Sequence, residues 1–387
     1  MKNIPYGHQY IDEDDIKAVV DVLKSDWLTQ GSKVKEFEKA LSDYTGAKYA
    51  VAVSSGTAAL HLACLVAGIS KGDEVITSAI TFVASANCVF YCGAKPLFAD
   101  VDPVTANITS ESISQRINSK TKAFIPVHFG GFSCDMKAIK SLAIKNKLII
   151  IEDACHALGA SYEGLKVGSC KYSDMTVFSF HPVKSITTGE GGAITTNNKK
   201  YYEKLIMLRQ HGITKNFTKL SNKKIAVNLW YHEMQILGFN YRITDFQCAL
   251  GISQLKKLNK FIQKRRRIAG IYKKAFKNNN FFDLPIEKNN TKSSWHLYAI
   301  RLNDRYKPQK AIIFNKLRKK GLGVQVHYIP VYLQPYYQGL GYKKGLCPQA
   351  EDFYQREISL PLYPSITNED IRYVKEKLFE VFKEIDK

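Results

Sequence analysis

The chain has 387 residues, 45% of them hydrophobic, and a formal charge of +21. That hydrophobic share excludes an intrinsically disordered chain, and the length exceeds what one ordinary core fills, so two domains are expected. The basic residues are scattered along the chain, which argues against a nucleic-acid-binding stripe and fits attraction for anionic small molecules such as nucleotides.

In chain order, the first stretch, MKNIPYGHQYIDEDD, is acidic and lacks the apolar centre of a secretory signal. No run of about 20 apolar residues follows anywhere, so no membrane span is expected. From residue 49 onward, short apolar runs read as strands: YAVAVSS (49–55), EVITSA (74–79), KPLFADV (95–101), AFIPVHF (123–129), LIIIEDA (148–154), MTVFSF (175–180) and GAITT (192–196). Between them lie helical patterns such as TAALHLACLVAG (57–68) and FVASANCVFYCG (82–93). Strand and helix in alternation predict an α/β fold with a mostly parallel sheet covered on both faces. In such sheets ligands bind beyond the carboxyl ends of the strands.

Past residue 250 the texture changes. The run KKLNKFIQKRRR (256–267) carries Leu258, Phe261 and Ile262 at helical spacing and reads as the solvated face of an amphipathic helix. A loop leading into a strand (281–302), a helix (309–320), a strand GVQVHY (323–328) and a last helix (368–386) follow. This reading divides the chain into a large domain, 1–250, and a smaller C-terminal α+β domain, 251–387. The eight cysteines form no C-x-x-C pair, so no metal or redox motif is expected, and a reducing cytoplasm is the simplest location.

Four features carry chemistry. LIIIEDACHALGA (148–160) ends an apolar strand on Glu152 and Asp153, and a carboxylate there is costly unless it meets a cation. VAVSSGTAAL (51–60) ends a strand on Ser-Ser-Gly-Thr and opens a helix, whose free N–H groups can bind a phosphate. Phe82 follows the strand EVITSA, and Lys184 sits in the polar loop of FSFHPVKSITTGEGG (178–192). Each has an ordinary explanation alone: a solvated turn acid, a helix cap, a core ring, a surface charge. Together they provide a phosphate site, an aromatic face, a buried carboxylate and an amine, which is what pyridoxal phosphate requires.

With those residues in place, the chain resembles the fold-type-I sugar aminotransferases of the DegT/DnrJ/EryC1/StrS family, from Tyr6 to about residue 380. The matching stretches are DWLTQG (26–31), EDACHALG (152–159), FSFHPVKSITTGEGGAITT (178–196), LGFNYRITDFQCALGISQL (237–255), GVQVHY (323–328) and AEDFYQREISLPLYP (350–364). The resemblance implies a PLP-dependent transferase fold of the aspartate aminotransferase type. It also implies transfer of an amino group from L-glutamate to a UDP-linked keto sugar, in a cytoplasmic homodimer with shared active sites.

Position by position, the resemblance makes Lys184 the Schiff-base lysine and proton shuttle, and Asp153 the partner of the pyridine nitrogen. His156 contacts the ring's phenolic oxygen, Phe82 stacks on the ring, and Gly56, Thr57 and Ser179 hold the phosphate. Asn240 reaches the phosphate of the neighbouring subunit. Tyr6, Asp26, Trp27, Leu28, Thr29, Gln325, Val326, His327 and Tyr328, with Gly56, Ser179 and Asn240, match positions that contact the nucleotide sugar. Asp26-Trp27 departs from the family pattern. Arg242 and His327 are candidates for gripping the donor's carboxylates, or for local ion pairs. Related sugar dehydratases carry histidine in place of the lysine, which Lys184 argues against; His181 reads as a structural residue before Pro182. Two other readings stay open: the same chemistry on another nucleotide-linked 4-keto or 3-keto sugar, and a non-catalytic basic binding protein, which explains neither Lys184 nor Asp153.

Overall fold

A computed structural model describes residues 2–386. All seven expected strands lie in one sheet: β1 (Tyr49–Val53), β2 (Glu74–Ser78), β3 (Lys95–Ala99), β4 (Thr121–Ile125), β5 (Ile149–Asp153), β6 (Met175–Ser179) and β7 (Gly192–Thr196). The spatial order is β1-β7-β6-β5-β4-β2-β3, and every pairing is parallel except those of β7 with β1 and β6.

Both faces of the sheet are buried, as the near-continuous apolar strands require. Val51, Val53, Ile151 and Val177 face the helices α3 (Gly56–Val66) and α4 (Ala84–Tyr91). Ala50, Ala52, Phe178 and Ala193 face α2 (Ser32–Thr45) and the first half of a long helix, Asp245–Phe276. A short helix, α1 (Glu13–Leu23), precedes α2 and lies against the same long helix. Asp245 also fastens the chain start to this face. Its carboxylate accepts from the N–H groups of Gly31 (2.9 Å) and Lys33 (3.0 Å) at the α2 N-terminus, where the helix dipole favours an anion.

The long helix is shared between two cores. Leu258, Phe261 and Ile262 belong to the core of the large sheet. Ile268, Ala269, Tyr272 and Phe276 belong to a second core. That second core covers a three-stranded antiparallel sheet of β8 (Phe282–Asp283), β9 (Tyr298–Leu302) and β10 (Glu357–Leu360). Helices Lys310–Lys319 and Asn368–Ile385 complete it. Among the described residues no helix is long and apolar enough to cross a membrane.

One expected strand is not there. Of the stretch 323–328, only Gly323 is in a strand, Leu322–Gly323, which pairs in parallel with Ile4–Pro5. Gln325 makes a single bridge to Ser359. The backbone then leaves the ladder because the His327 N–H donates to the buried carboxylate of Glu357 (2.7 Å) and not to a neighbouring strand.

Candidate active site

The parallel strands β2, β4, β5 and β6 and strand β1 present their carboxyl ends at one edge of the sheet, and β7, running the other way, starts there. The loop from Phe180 to Gly191 is therefore held at that edge. Its ends are tied by Phe180 N–H to Gly191 O (2.9 Å) and Thr188 N–H to Phe180 O (3.0 Å), and a turn at Pro182 is closed by Lys184 N–H to His181 O (2.9 Å). This loop delivers Lys184 into a cavity of about 370 Å³.

Strand ends supply most of the lining: Ser55, Gly56 and Thr57 after β1, Thr81 and Phe82 after β2, Asp153, Cys155 and His156 from β5, and Ser179 from β6. The Lys184 amine has no hydrogen bond or ion pair among the described residues. Burial pushes its pKa down, and the nearby Cys155 and Asp153 act against that shift. A lowered pKa raises the fraction of neutral amine, the form that acts as nucleophile or base.

Asp153 is buried, and its two oxygens accept from the Ser85 hydroxyl (2.6 Å) and the Cys155 N–H (3.1 Å). No ion pair reaches it among the described residues, although the Lys184 amine lies near enough to feel its charge, so the carboxylate has room for a cationic group of a ligand. The adjacent Glu152 points to the opposite face of the strand, as alternation requires. There it accepts from His128 Nε2 (2.7 Å) and from the Ser173 and Thr176 hydroxyls. Of the two acids at this strand end, one is structural and the other faces the cavity.

At the start of α3, the Ser55 hydroxyl accepts from Ala58 N–H (3.1 Å). The adjoining N–H groups at this helix start form an anion site of the kind that holds phosphate. Gly56 is there for space: a Cβ would come within 2.9 Å of Ser179 Cβ. Phe82 is not a core ring; it is 58% exposed at the cavity edge. His156 Nδ1 accepts from Gly130 N–H (3.3 Å), which leaves Nε2–H to donate toward the Tyr328 hydroxyl (3.2 Å). Burial, reinforced by Lys184 and His327, keeps the His156 ring neutral.

Tyr6, His327 and Tyr328 close the opposite side. Tyr6 is carried in by the Ile4–Pro5 strand, and its ring lies 5.3 Å from that of His327. The remaining expected residues are elsewhere. Gln325 is exposed and Val326 half-buried, outside this cavity. Asn240 is exposed and bridges to Gln210. Asp26, Trp27, Leu28 and Thr29 are all exposed, and Thr29 bridges to Thr244. Trp27 and Arg242 border two outer grooves of about 880 and 680 Å³ that flank α2 and contain neither Lys184 nor Asp153.

Sequence reasoning missed Ser55, Thr81, Cys155, Glu190 and the position of His181, all of which line the cavity. The adjacency of Ser55 to Gly56 and of Glu190 to the lysine loop was the available signal. Lys184, Asp153, the helix start and a flanking aromatic ring fit pyridoxal phosphate: the amine has no hydrogen bond, the carboxylate has no ion pair among the described residues, and a glycine leaves room beside an anion site.

Residues 9–379 match the sequence profile of the DegT/DnrJ/EryC1/StrS aminotransferase family. A Campylobacter jejuni UDP-4-amino-4,6-dideoxy-N-acetyl-beta-L-altrosamine transaminase is 42% identical over 387 residues, covering 99% of both chains. The GDP-perosamine synthase of Escherichia coli O157:H7 is 36% identical over 386 residues, covering 99% of this chain and 100% of that one. The solved structure of Helicobacter pylori PseC, an aminotransferase involved in the biosynthesis of pseudoaminic acid, superposes with a TM-score of 0.92 at 36% identity, covering 99% of this chain and 100% of that chain.

Proposed function

The chain belongs to the DegT/DnrJ/EryC1/StrS aminotransferase family, and from that premise we propose that it moves the amino group of L-glutamate to the 4-keto group of a UDP-linked 2-acetamido-2,6-dideoxy-hexulose. The product is then UDP-4-amino-4,6-dideoxy-N-acetyl-β-L-altrosamine, on a route to pseudaminic acid for flagellin or surface-glycan modification. That the protein is a pyridoxal-phosphate-dependent sugar aminotransferase is the established part. The donor, the sugar and the pathway are the proposal, supported by the 42% identity to the C. jejuni transaminase.

The observation that carries the reading is the meeting in one cavity of the Lys184 amine, which has no hydrogen bond, the Asp153 carboxylate, which has no ion pair among the described residues, and a helix start. Bound pyridoxal phosphate supplies an electron sink that makes the proton on the amine-bearing carbon removable. Lys184 Nζ would take that proton and deliver it to the carbon on the other side of the same nitrogen, as base and then acid. Asp153, fixed by Ser85 and Cys155, would hold the ring nitrogen protonated. Gly56, Thr57 and Ser179 would cradle the phosphate, His156 would turn its Nε2–H from the Tyr328 hydroxyl to the phenolic oxygen, and Phe82 would cover the ring. Tyr6 and Tyr328 shield the cavity and bear on the sugar.

Asn240 and residues 26–29 serve this reading through a homodimer. They are exposed here, and the segment next to Asn240 shows Val227, Leu229, Trp230, Met234 and Leu237 to solvent, an apolar surface that a second copy would cover. We assign the cofactor-holding part to residues 1–250 and the remainder to 251–387. The cytoplasm suits eight free thiols.

The test is incubation of the holoenzyme with glutamate and the UDP-linked 4-keto sugar, followed by mass and NMR analysis. Expected is one amine per sugar and 2-oxoglutarate in equal amount. A second reading keeps the chemistry and changes the sugar, since the E. coli relative at 36% identity is named for a GDP-linked product. Amination of a GDP-linked keto sugar in preference to the UDP-linked one would establish it.

A further inference from the structure

Behind the side of the cavity formed by His327, three buried groups make a continuous chain of hydrogen bonds. Glu357 and Ser359 lie two residues apart on β10, so their side chains leave the same face, and both are fully buried. The Ser359 hydroxyl donates to Glu357 Oε1 (2.5 Å), the His327 backbone N–H donates to Glu357 Oε2 (2.7 Å), and His327 Nδ1 lies 2.8 Å from Ser359 Oγ.

A hydroxyl has one proton to give. Here the Glu357 carboxylate takes it, so at the next contact the Ser359 oxygen accepts and His327 Nδ1–H donates. A neutral imidazole carries a single N–H, which leaves a bare lone pair on Nε2. That nitrogen has no protein hydrogen bond among the described residues, and its ring lines the cavity. Burial and the Lys184 charge push the His327 pKa down to about 3, so the ring holds no second proton near neutrality.

The direction of the chain depends on Glu357 being ionised. Burial raises its pKa to about 7, outweighing the groups that favour the anion, which are the Ser359 hydroxyl, the Lys310 charge from the helix Lys310–Lys319 and the His327 backbone N–H. The chain therefore runs in this direction above that pH, where the imidazole spectrum is to be recorded.

We propose that Glu357 and Ser359 are positioning residues that lock His327 as a hydrogen-bond acceptor, so that the cavity selects a substrate presenting an O–H or N–H at this point. On the sugar-aminotransferase reading, on which the identity of the substrate rests, that group is a sugar hydroxyl or the N–H of an acetamido substituent. A donor carboxylate would meet lone pair with lone pair, so His327 reads the sugar and does not grip glutamate.

Two measurements test this. In holoenzyme carrying ¹⁵N-labelled histidine, the His327 signals, identified by their loss in His327→Asn, should report the Nδ1–H form. Glu357→Gln should reverse the chain. Its amide must turn oxygen toward the His327 N–H and NH₂ toward Ser359, which drives the ring to Nε2–H. The same variant should raise KM for the UDP-linked 4-keto sugar about tenfold, the worth of one hydrogen bond. KM for glutamate and the rate at which glutamate bleaches the bound cofactor should stay within about twofold.

Ser359→Thr keeps the hydroxyl and should restore the native form, whereas Ser359→Ala should not. Finding Nε2–H or a doubly protonated ring in the native protein overturns the inference, as does an unchanged sugar KM in Glu357→Gln. A holoenzyme that ignores glutamate fails instead as an aminotransferase, and the imidazole spectrum, which needs no substrate, decides the inference regardless.

Discussion

On one side of the cavity, side chains hang from the carboxyl ends of strands in a fully buried sheet and from the loop tied between β6 and β7; on the other, Tyr6, His327 and Tyr328 come from irregular backbone propped by side chains. The first side carries the charges, Lys184 and Asp153. The second carries neutral groups. Burial keeps the Tyr328 hydroxyl protonated and His327 uncharged. The difference separates two jobs. Bond-making needs ionisable groups held rigidly, which ladder-bonded strand ends provide. Recognition of an uncharged sugar needs donors and acceptors of fixed direction, which a supporting layer of buried hydrogen bonds provides.

Substitutions on the strand-end side should cost the most. Lys184→Ala is expected to lower amine transfer by about 10⁴-fold or more, with the far-UV spectrum unchanged. A variant retaining a tenth of the native rate would mean that the amine is not the proton carrier. Next is Asp153→Asn, which keeps shape and removes charge. A loss of about 10²-fold is expected in turnover, measured with cofactor saturating so that weaker binding is not mistaken for slower chemistry. Gly56→Ala forces a methyl to 2.9 Å from Ser179 Cβ. Overpacking of about 1–3 kcal/mol should appear as cofactor affinity reduced by roughly tenfold, read by fluorescence titration.

The last effect concerns pH, is read as stability and not turnover, and draws on buried rings on and behind both sides of the cavity. His156, His296 and His327 have their pKa values lowered by burial, His327 to about 3. Unfolded, each would take up a proton near pH 6.5. The unfolded state therefore binds more protons below that pH, and stability falls as pH drops from about 6.5 toward 3. Each histidine adds a slope of about 1.4 kcal/mol per pH unit. The urea midpoint should be lower at pH 5 than at pH 7; a flat midpoint would mean that these rings are charged in the fold.

The same division explains what could be read from the chain alone. Strands β1 to β7 are apolar runs closed by polar residues, and what closes or follows them points to Gly56, to the Glu152-Asp153 pair and to the loop of Lys184, whereas Ser179 comes only with the family resemblance. Without the resemblance, Asp153 could not be told from Glu152 until the alternation of faces was anchored by His128. Phe82 reads as core in a linear pattern, because exposure at a cavity rim leaves no trace in hydrophobicity. The stretch 323–328 has a strand's composition, yet its backbone departs to satisfy a carboxylate thirty residues further along. No local propensity encodes a partner at that separation.

The helix Asp245–Phe276 gives the molecule one further property. Since its two halves anchor different cores without a break, the C-terminal layer has no free joint at this crossing, and the Ile4–Pro5 strand pins the layer a second time. Severing the chain mid-helix would bare a greasy stripe on each fragment. Heat should accordingly melt the protein in a single calorimetric peak.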